Sequence, residues 1–148
     1  MKKIFVLFLF ITACGYQPLY INKNSNSFSK IEFIGDKRIA REIVSFASLK
    51  ENSSSTNKSV ILLNVSENTI ATSKDSKGKI TSYKTNITAK VEIKNNDKII
   101  KNKKFNESFS YNNLDNKYDL SNYKKDVQKN LARKIAEDLI IFINLQWL

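Results

Sequence analysis

Ser82-Tyr83-Lys84-Thr85-Asn86-Ile87-Thr88-Ala89-Lys90-Val91-Glu92-Ile93-Lys94 alternates without a break. Tyr83, Thr85, Ile87, Ala89, Val91 and Ile93 share one side of an extended chain. Ser82, Lys84, Asn86, Thr88, Lys90, Glu92 and Lys94 share the other. Side chains of a strand point to opposite faces in turn, so this period of two specifies a half-buried antiparallel strand. At about 3.3 Å per residue, residues 80–94 would span roughly 45–50 Å. That is long for a strand and predicts a hairpin projecting from the domain body.

The flanks agree. Residues 73–79, Ser-Lys-Asp-Ser-Lys-Gly-Lys, form a turn in which Gly78 can take positive φ. Before it, Val60-Ile61-Leu62-Leu63-Asn64-Val65 reads as a strand continuing past Ile70. After it, Asn95-Asn96-Asp97 makes a second turn, and residues 98–111 a third strand with Phe105, Phe109 and Tyr111 on one face.

Helical spacing appears twice. Ile39, Ile43, Phe46 and Ala47 recur at intervals of four and three after Asp36, a plausible N-cap. Near the end, Tyr123, Val127, Leu131, Ile135, Leu139 and Ile143 repeat every four residues, predicting a helix over 121–144. Ile140, Ile141, Phe142 and Trp147 widen its apolar face, either as deeper core or as a partner contact. Ile31, Phe33 and Ile34 read as a short first strand broken by Gly35-Asp36, and residues 51–58 and 112–118 as loops. Two one-sided helices need a sheet face to cover. The expected fold is α+β: two helices packed on one face of a four-stranded, mixed but mainly antiparallel sheet, a two-layer sandwich. The first strand can lie parallel to a neighbour through a right-handed helix crossover.

Before this domain, Lys2 and Lys3 precede an unbroken apolar run, residues 4–11, and Ala13 precedes Cys14, the only cysteine. A basic start, an apolar run and a small residue have the shape of a secretory signal. A cysteine directly after the expected cut resembles a bacterial lipobox. That resemblance implies a diacylglycerol on the Cys14 thiol, cleavage before Cys14 and an N-acyl chain on the new amine. The apolar run is short of the roughly 20 residues that span a bilayer. The expected organisation is a signal peptide over 1–13, an acylated tether over 14–29 and a single domain over 30–148.

Removing residues 1–13 from the 148 leaves 135, enough for one ordinary domain. Lys2 and Lys3 leave with them, so 23 basic side chains face 14 acidic ones, a charge of about +9. Such surplus points to an anionic partner. Outside the cytoplasm that means lipid phosphate, acidic polysaccharide or an acidic protein surface, not nucleic acid. A lysine-rich solvated surface accounts equally well for any single lysine. With no histidine anywhere, the usual general base and zinc sites of Cys/His type are missing. Asp115, Asp119 and Asp126 read as capping and solvation, and no enzyme activity is expected.

Cys14-Gly15-Tyr16-Gln17-Pro18-Leu19-Tyr20 resembles the Cys-Gly-Phe-x-Pro-Leu-Tyr opening of alphaproteobacterial LptE, a family of lipopolysaccharide-assembly lipoproteins. The element order is similar too. So are the Lys77-Gly78-Lys79-Ile80-Thr81-Ser82-Tyr83 hairpin entry, the Phe105-x-x-x-Phe109 strand ending at Tyr111 and the closing Ala136-Glu137-Asp138-Leu139-Ile140 helix. The resemblance implies a non-enzymatic protein without cofactors beyond its acyl chains. Such a protein sits inside an LptD-like outer-membrane β-barrel, helps it fold, plugs it and binds lipopolysaccharide. It implies lipid-binding positions at the hairpin tip and on the last helix, matched here by Lys74, Lys77, Lys79 and Lys129. Ser76 stands where the family has a tip arginine. Gly15, in place of the Asp that marks inner-membrane retention, implies the periplasmic side of the outer membrane. A generic outer-membrane lipoprotein binding protein or glycan remains the alternative.

Overall fold

The computed structural model describes residues 27–52 and 59–144. Its elements are β1 (Ser27–Phe28), β2 (Lys30–Gly35), α1 (Lys37–Phe46), β3 (Lys50–Glu51), β4 (Ser59–Lys74), β5 (Ile80–Asn95), β6 (Lys98–Asn112) and α2 (Lys117–Asn144). The main sheet has the order β2-β4-β5-β6. Three of its strands form an antiparallel meander, and β2 pairs parallel to β4. Both helices pack side by side on one face, giving the expected α+β sandwich.

The alternation in β5 sorts as the sequence requires. Thr85, Ile87, Ala89, Val91 and Ile93 are buried. Ile61, Leu63 and Val65 of β4 and Phe105 of β6 join them from the neighbouring strands. Ile39 and Ile43 from α1, and Val127, Leu131, Ile135, Leu139 and Ile143 from α2, close the core from above. Asp36 caps α1, its carboxylate accepting the backbone N–H of Arg38 and Ile39 at 3.0 Å each.

At the top of β2 the chain must leave the sheet within one residue. Gly35 has φ +77°, and a Cβ there would lie 2.1 Å from the Val65 carbonyl oxygen. That oxygen already accepts the Asp36 N–H at 2.8 Å, so it is held in place. Gly35→Ala is expected to destabilise the fold by roughly 2–4 kcal/mol, combining a left-handed conformation with overpacking. Urea unfolding measures it; an unshifted midpoint would refute the close approach.

Several features differ from the expectation. Ser27–Phe28, read as tether, pairs parallel with Lys50–Glu51, with Glu51 read as the start of a loop, in a separate two-stranded sheet. Phe28 is buried there, so packed structure begins ahead of residue 30. α2 starts at Lys117, four residues before the expected start at Ser121, because its first turn is solvated and carries no apolar period. The β4–β5 hairpin does not project alone. β6 accompanies it to Asn112 opposite Ser82. Asn113 then donates from its backbone to Thr81 and from its amide to Ile80, at 2.8 Å each. Only the turn 75–79 reaches past the third strand. β2, however, ends at Gly35 opposite Val65, so the β4 edge beyond Val65 is unpaired by any described strand.

Candidate functional site

Asp75 builds the hairpin tip. Its carboxylate accepts the backbone N–H of Lys77 and of Lys79 at 2.9 Å, while Gly78 (φ +80°) donates to its carbonyl at 3.0 Å. This fixed turn displays Lys74, Lys77 and Lys79 at one end of the sheet. The three are not equivalent. Lys79 Nζ meets Asp115 Oδ1 at 2.6 Å. The hydrogen bond and charge of Asp115 raise the Lys79 pKa, and Lys79 in turn lowers that of Asp115. Both groups are solvent-exposed, so water and salt screen the pair. Lys74 and Lys77 have no side-chain partner among the described residues and remain the exposed cations of the tip.

Lys129 lies elsewhere. The Tyr83–Tyr111–Tyr123 stack, with ring centroids 5.9 and 5.5 Å apart, marks the level where α2 meets the upper sheet. Lys129 lies about 9 Å along α2 beyond Tyr123, on the side away from the tip. The structure therefore brings the tip lysines together and leaves Lys129 on a separate, exposed helix surface. Cys14 and Trp147 lie outside the described residues.

A polar layer crosses the core between these levels. Arg38 donates to Gln128 Oε1 at 2.8 Å, and the Gln128 amide donates to Glu67. Thr69 Oγ1 donates to Glu67 Oε1 at 2.6 Å. Thr69 and Thr85 lie 2.7 Å apart, and Thr85 and the Tyr111 hydroxyl 3.2 Å apart. A hydroxyl carries one proton, and that of Thr69 goes to the carboxylate. Thr85 must then donate to Thr69, and Tyr111 to Thr85. The hydroxyls form a one-way chain ending on Glu67, with Lys124 Nζ 3.4 Å from the same oxygen. Thr85, Tyr111 and Gln128 are all buried, so this layer satisfies polar groups that the core would otherwise strand.

Burial by itself would push the Glu67 carboxyl up. Hydrogen bonds from Thr69 and Gln128 and the charge of Lys124 outweigh it and hold its pKa below the ordinary value. A lowered folded-state pKa contributes stability above the unfolded value, and that stability is lost as pH falls through the folded one. Glu67→Ala is expected to cost about 1–3 kcal/mol at neutral pH, because buried donors lose their acceptor. It should also flatten the acid limb of the stability curve. Urea midpoints at neutral and acid pH, compared with wild type, measure both effects. An equal acid dependence would remove Glu67 from the account. The layer was legible in part. Counting by twos from Ile61 sets Glu67 and Thr69 on the core face, but nothing in the pattern pairs them with Gln128.

No family profile matches the chain, nor does any curated protein sequence. Solved structures do match. A minor lipoprotein from Acinetobacter baumannii aligns over 84% of this chain and 94% of its own, with a TM-score of 0.65 and 11% identity. The rare lipoprotein B from Shewanella oneidensis aligns over 73% and 88%, with a TM-score of 0.56 and 13% identity. Lipoprotein B from Nitrosomonas europaea aligns over 85% and 92%, with a TM-score of 0.55 and 10% identity. This is a fold found in bacterial lipoproteins. At these identities the likeness is one of backbone architecture alone.

Proposed function

We propose that this chain is an envelope lipoprotein, acylated at Cys14 and held on the periplasmic side of the outer membrane. There it seats in an LptD-like β-barrel, assists its assembly and meets lipopolysaccharide during export. The role is non-catalytic and needs no cofactor beyond the acyl chains. The observation that carries the reading is a pairing. A domain with a fold found in bacterial lipoproteins follows a sequence in which Cys14 closes a lipobox-like run. The opening heptapeptide adds the resemblance to the LptE family, and that resemblance supplies the barrel and the lipid.

The decisive experiment is a native pull-down of the acylated protein from detergent-solubilised outer membranes, with mass spectrometry of what accompanies it. A stoichiometric large β-barrel is the expected result. An acylated, outer-membrane protein with no barrel attached would leave a protein- or glycan-binding lipoprotein instead.

The tip geometry ranks the lysines. Lys79 is occupied by Asp115, so Lys74 and Lys77 should carry most of the contact with lipid phosphate. Lys74→Glu with Lys77→Glu should lower affinity for immobilised lipopolysaccharide by tenfold or more, since each lysine near an anionic lipid surface contributes about 1 kcal/mol. Thermal stability should not change, because both side chains are exposed. Equal affinity for variant and wild type would return both lysines to ordinary solvated surface.

A further inference from the structure

The end of the sheet opposite the hairpin tip carries a feature that the barrel reading leaves unused. β6 opens with Lys98-Ile99-Ile100-Lys101-Asn102-Lys103-Lys104, four lysines and no acid in seven residues. Its two isoleucines stand 49% and 50% exposed. Ile141, near the C-terminal end of α2, is 52% exposed. Phe142 beside it stacks edge-on against Phe105 with centroids 6.0 Å apart, and Lys103 Nζ lies 5.1 Å from the Phe105 ring centre and 5.5 Å from that of Phe142. Exposed aliphatic side chains are thus set among lysines on two adjoining elements.

The same end receives the chain from its N-terminus. Lys30 pairs with Val60, Val60 with Lys94 and Lys94 with Ile99, so one row across the sheet joins the first residue of β2 to Ile99. Thirteen residue steps separate Cys14 from Ser27. Fully extended they reach at most about 45 Å, close to the length of the sheet itself. The anchor and the start of the sheet thus enter from the same end, so the tether can bring the Ile99–Ile100 end to the bilayer.

We propose that the Ile99–Ile100 end, with Lys98, Lys103 and Lys104, docks on an anionic phospholipid surface. The isoleucines enter the headgroup boundary and the lysines meet lipid phosphate. A lysine-flanked apolar patch binds such an interface by adding charge attraction to a small burial of apolar area. Docking would also set the axis of the domain, with Lys74 and Lys77 at the far end. The proposal rests on the acyl-anchor part of the proposed function and not on the barrel.

A labelled acylated protein tests it. With the Cys14 thiol acylated, Ile100→Cys supplies the only free thiol for a fluorophore, and Lys77→Cys supplies the control at the opposite end. Proteoliposomes of phosphatidylethanolamine and phosphatidylglycerol carry bromine on the lipid chains as quencher. Quenching at residue 100 should exceed that at residue 77 by about threefold, and should fall in phosphatidylcholine or at high salt. Equal quenching at both ends overturns the proposal. So does shielding of residue 100 that appears only when a barrel protein is present, which would assign this end to the barrel. A second measurement is independent of acylation. The chain from residue 14 with Cys14→Ser should float with anionic vesicles, and adding Ile99→Ser and Ile100→Ser should weaken this about tenfold. Unchanged flotation overturns the proposal. A missing acyl mass or an absent barrel would instead refute the proposed function, while flotation of the unacylated chain still decides the docking.

Discussion

Ile87→Pro is expected to unfold the domain. Ile87 is fully buried at the middle of β5, which lies between β4 and β6 with partners on both sides, Glu67 and Glu107. Every N–H of such a strand faces one neighbour or the other, and proline has none to donate. The substitution strands a buried acceptor, forces a kink into the strand that positions all the others, and removes part of a core side chain. An unsatisfied buried group costs about 1–3 kcal/mol, and loss of buried isoleucine volume roughly 2 kcal/mol or more. Together these approach the whole stability of an ordinary domain, about 5–15 kcal/mol. Ile87→Val separates the two causes. It keeps the ladder and should cost only about 1 kcal/mol. Far-UV circular dichroism and urea unfolding of both variants provide the check. A cooperative, near-native transition for the proline variant would place Ile87 outside a central strand.

The fold could be read because its pattern is one-sided. Ile87, Ala89, Val91 and Ile93 alternate with polar residues, and the described helices cover one face of the sheet, so burial and sequence share a period. The α2 stripe of Tyr123, Val127, Leu131, Ile135, Leu139 and Ile143 was equally plain, and all but Tyr123, which is 41% exposed at the solvated start of the helix, are buried. Legibility failed where burial depends on a distant neighbour. Phe109 lies on the same face as Phe105 and Tyr111, yet it stands 48% exposed on an edge strand. Parity alone cannot tell a covered edge position from an open one. Phe28 failed in reverse. Flanked by serines, it carries no period of its own, and it is buried beside a β1–β3 pairing that joins residues more than 20 apart. The tip lysines were visible in the sequence, but the ranking among them was not. Only the loop before α2 brings Asp115 to Lys79 and leaves Lys74 and Lys77 exposed. The docking end was hidden for a related reason. Ile99 and Ile100 are consecutive, and a register shift between Ile93 and Lys94 falls beside them, so strand alternation assigns them no face.

Cys14→Ala should abolish acylation and, with it, stable membrane attachment, while leaving the fold intact. In the proposed acylation the thiol accepts the diacylglycerol, and alanine offers no nucleophile for a thioether. Two acyl chains hold a protein on a bilayer where one is marginal, because each buried methylene contributes about 0.8 kcal/mol. Nothing among the described residues replaces that, since none of their helices is long and apolar enough to cross a membrane. The Ile99–Ile100 end would supply only weak, salt-sensitive adhesion. The described core contains no contact that needs Cys14, so the thermal midpoint of the domain should not move. Palmitate labelling and membrane fractionation read the first effect, and a melting curve reads the second. Normal labelling of the variant would end the lipobox reading. Capture of a barrel partner should fall as well, because an anchor raises the effective concentration of the domain at the membrane without adding a contact. If barrel capture survives loss of the anchor undiminished, the domain's own surface carries that affinity. If capture and anchoring vanish together, the acyl chains deliver the domain to its partner, and the Lys74–Lys77 tip acts only after that delivery.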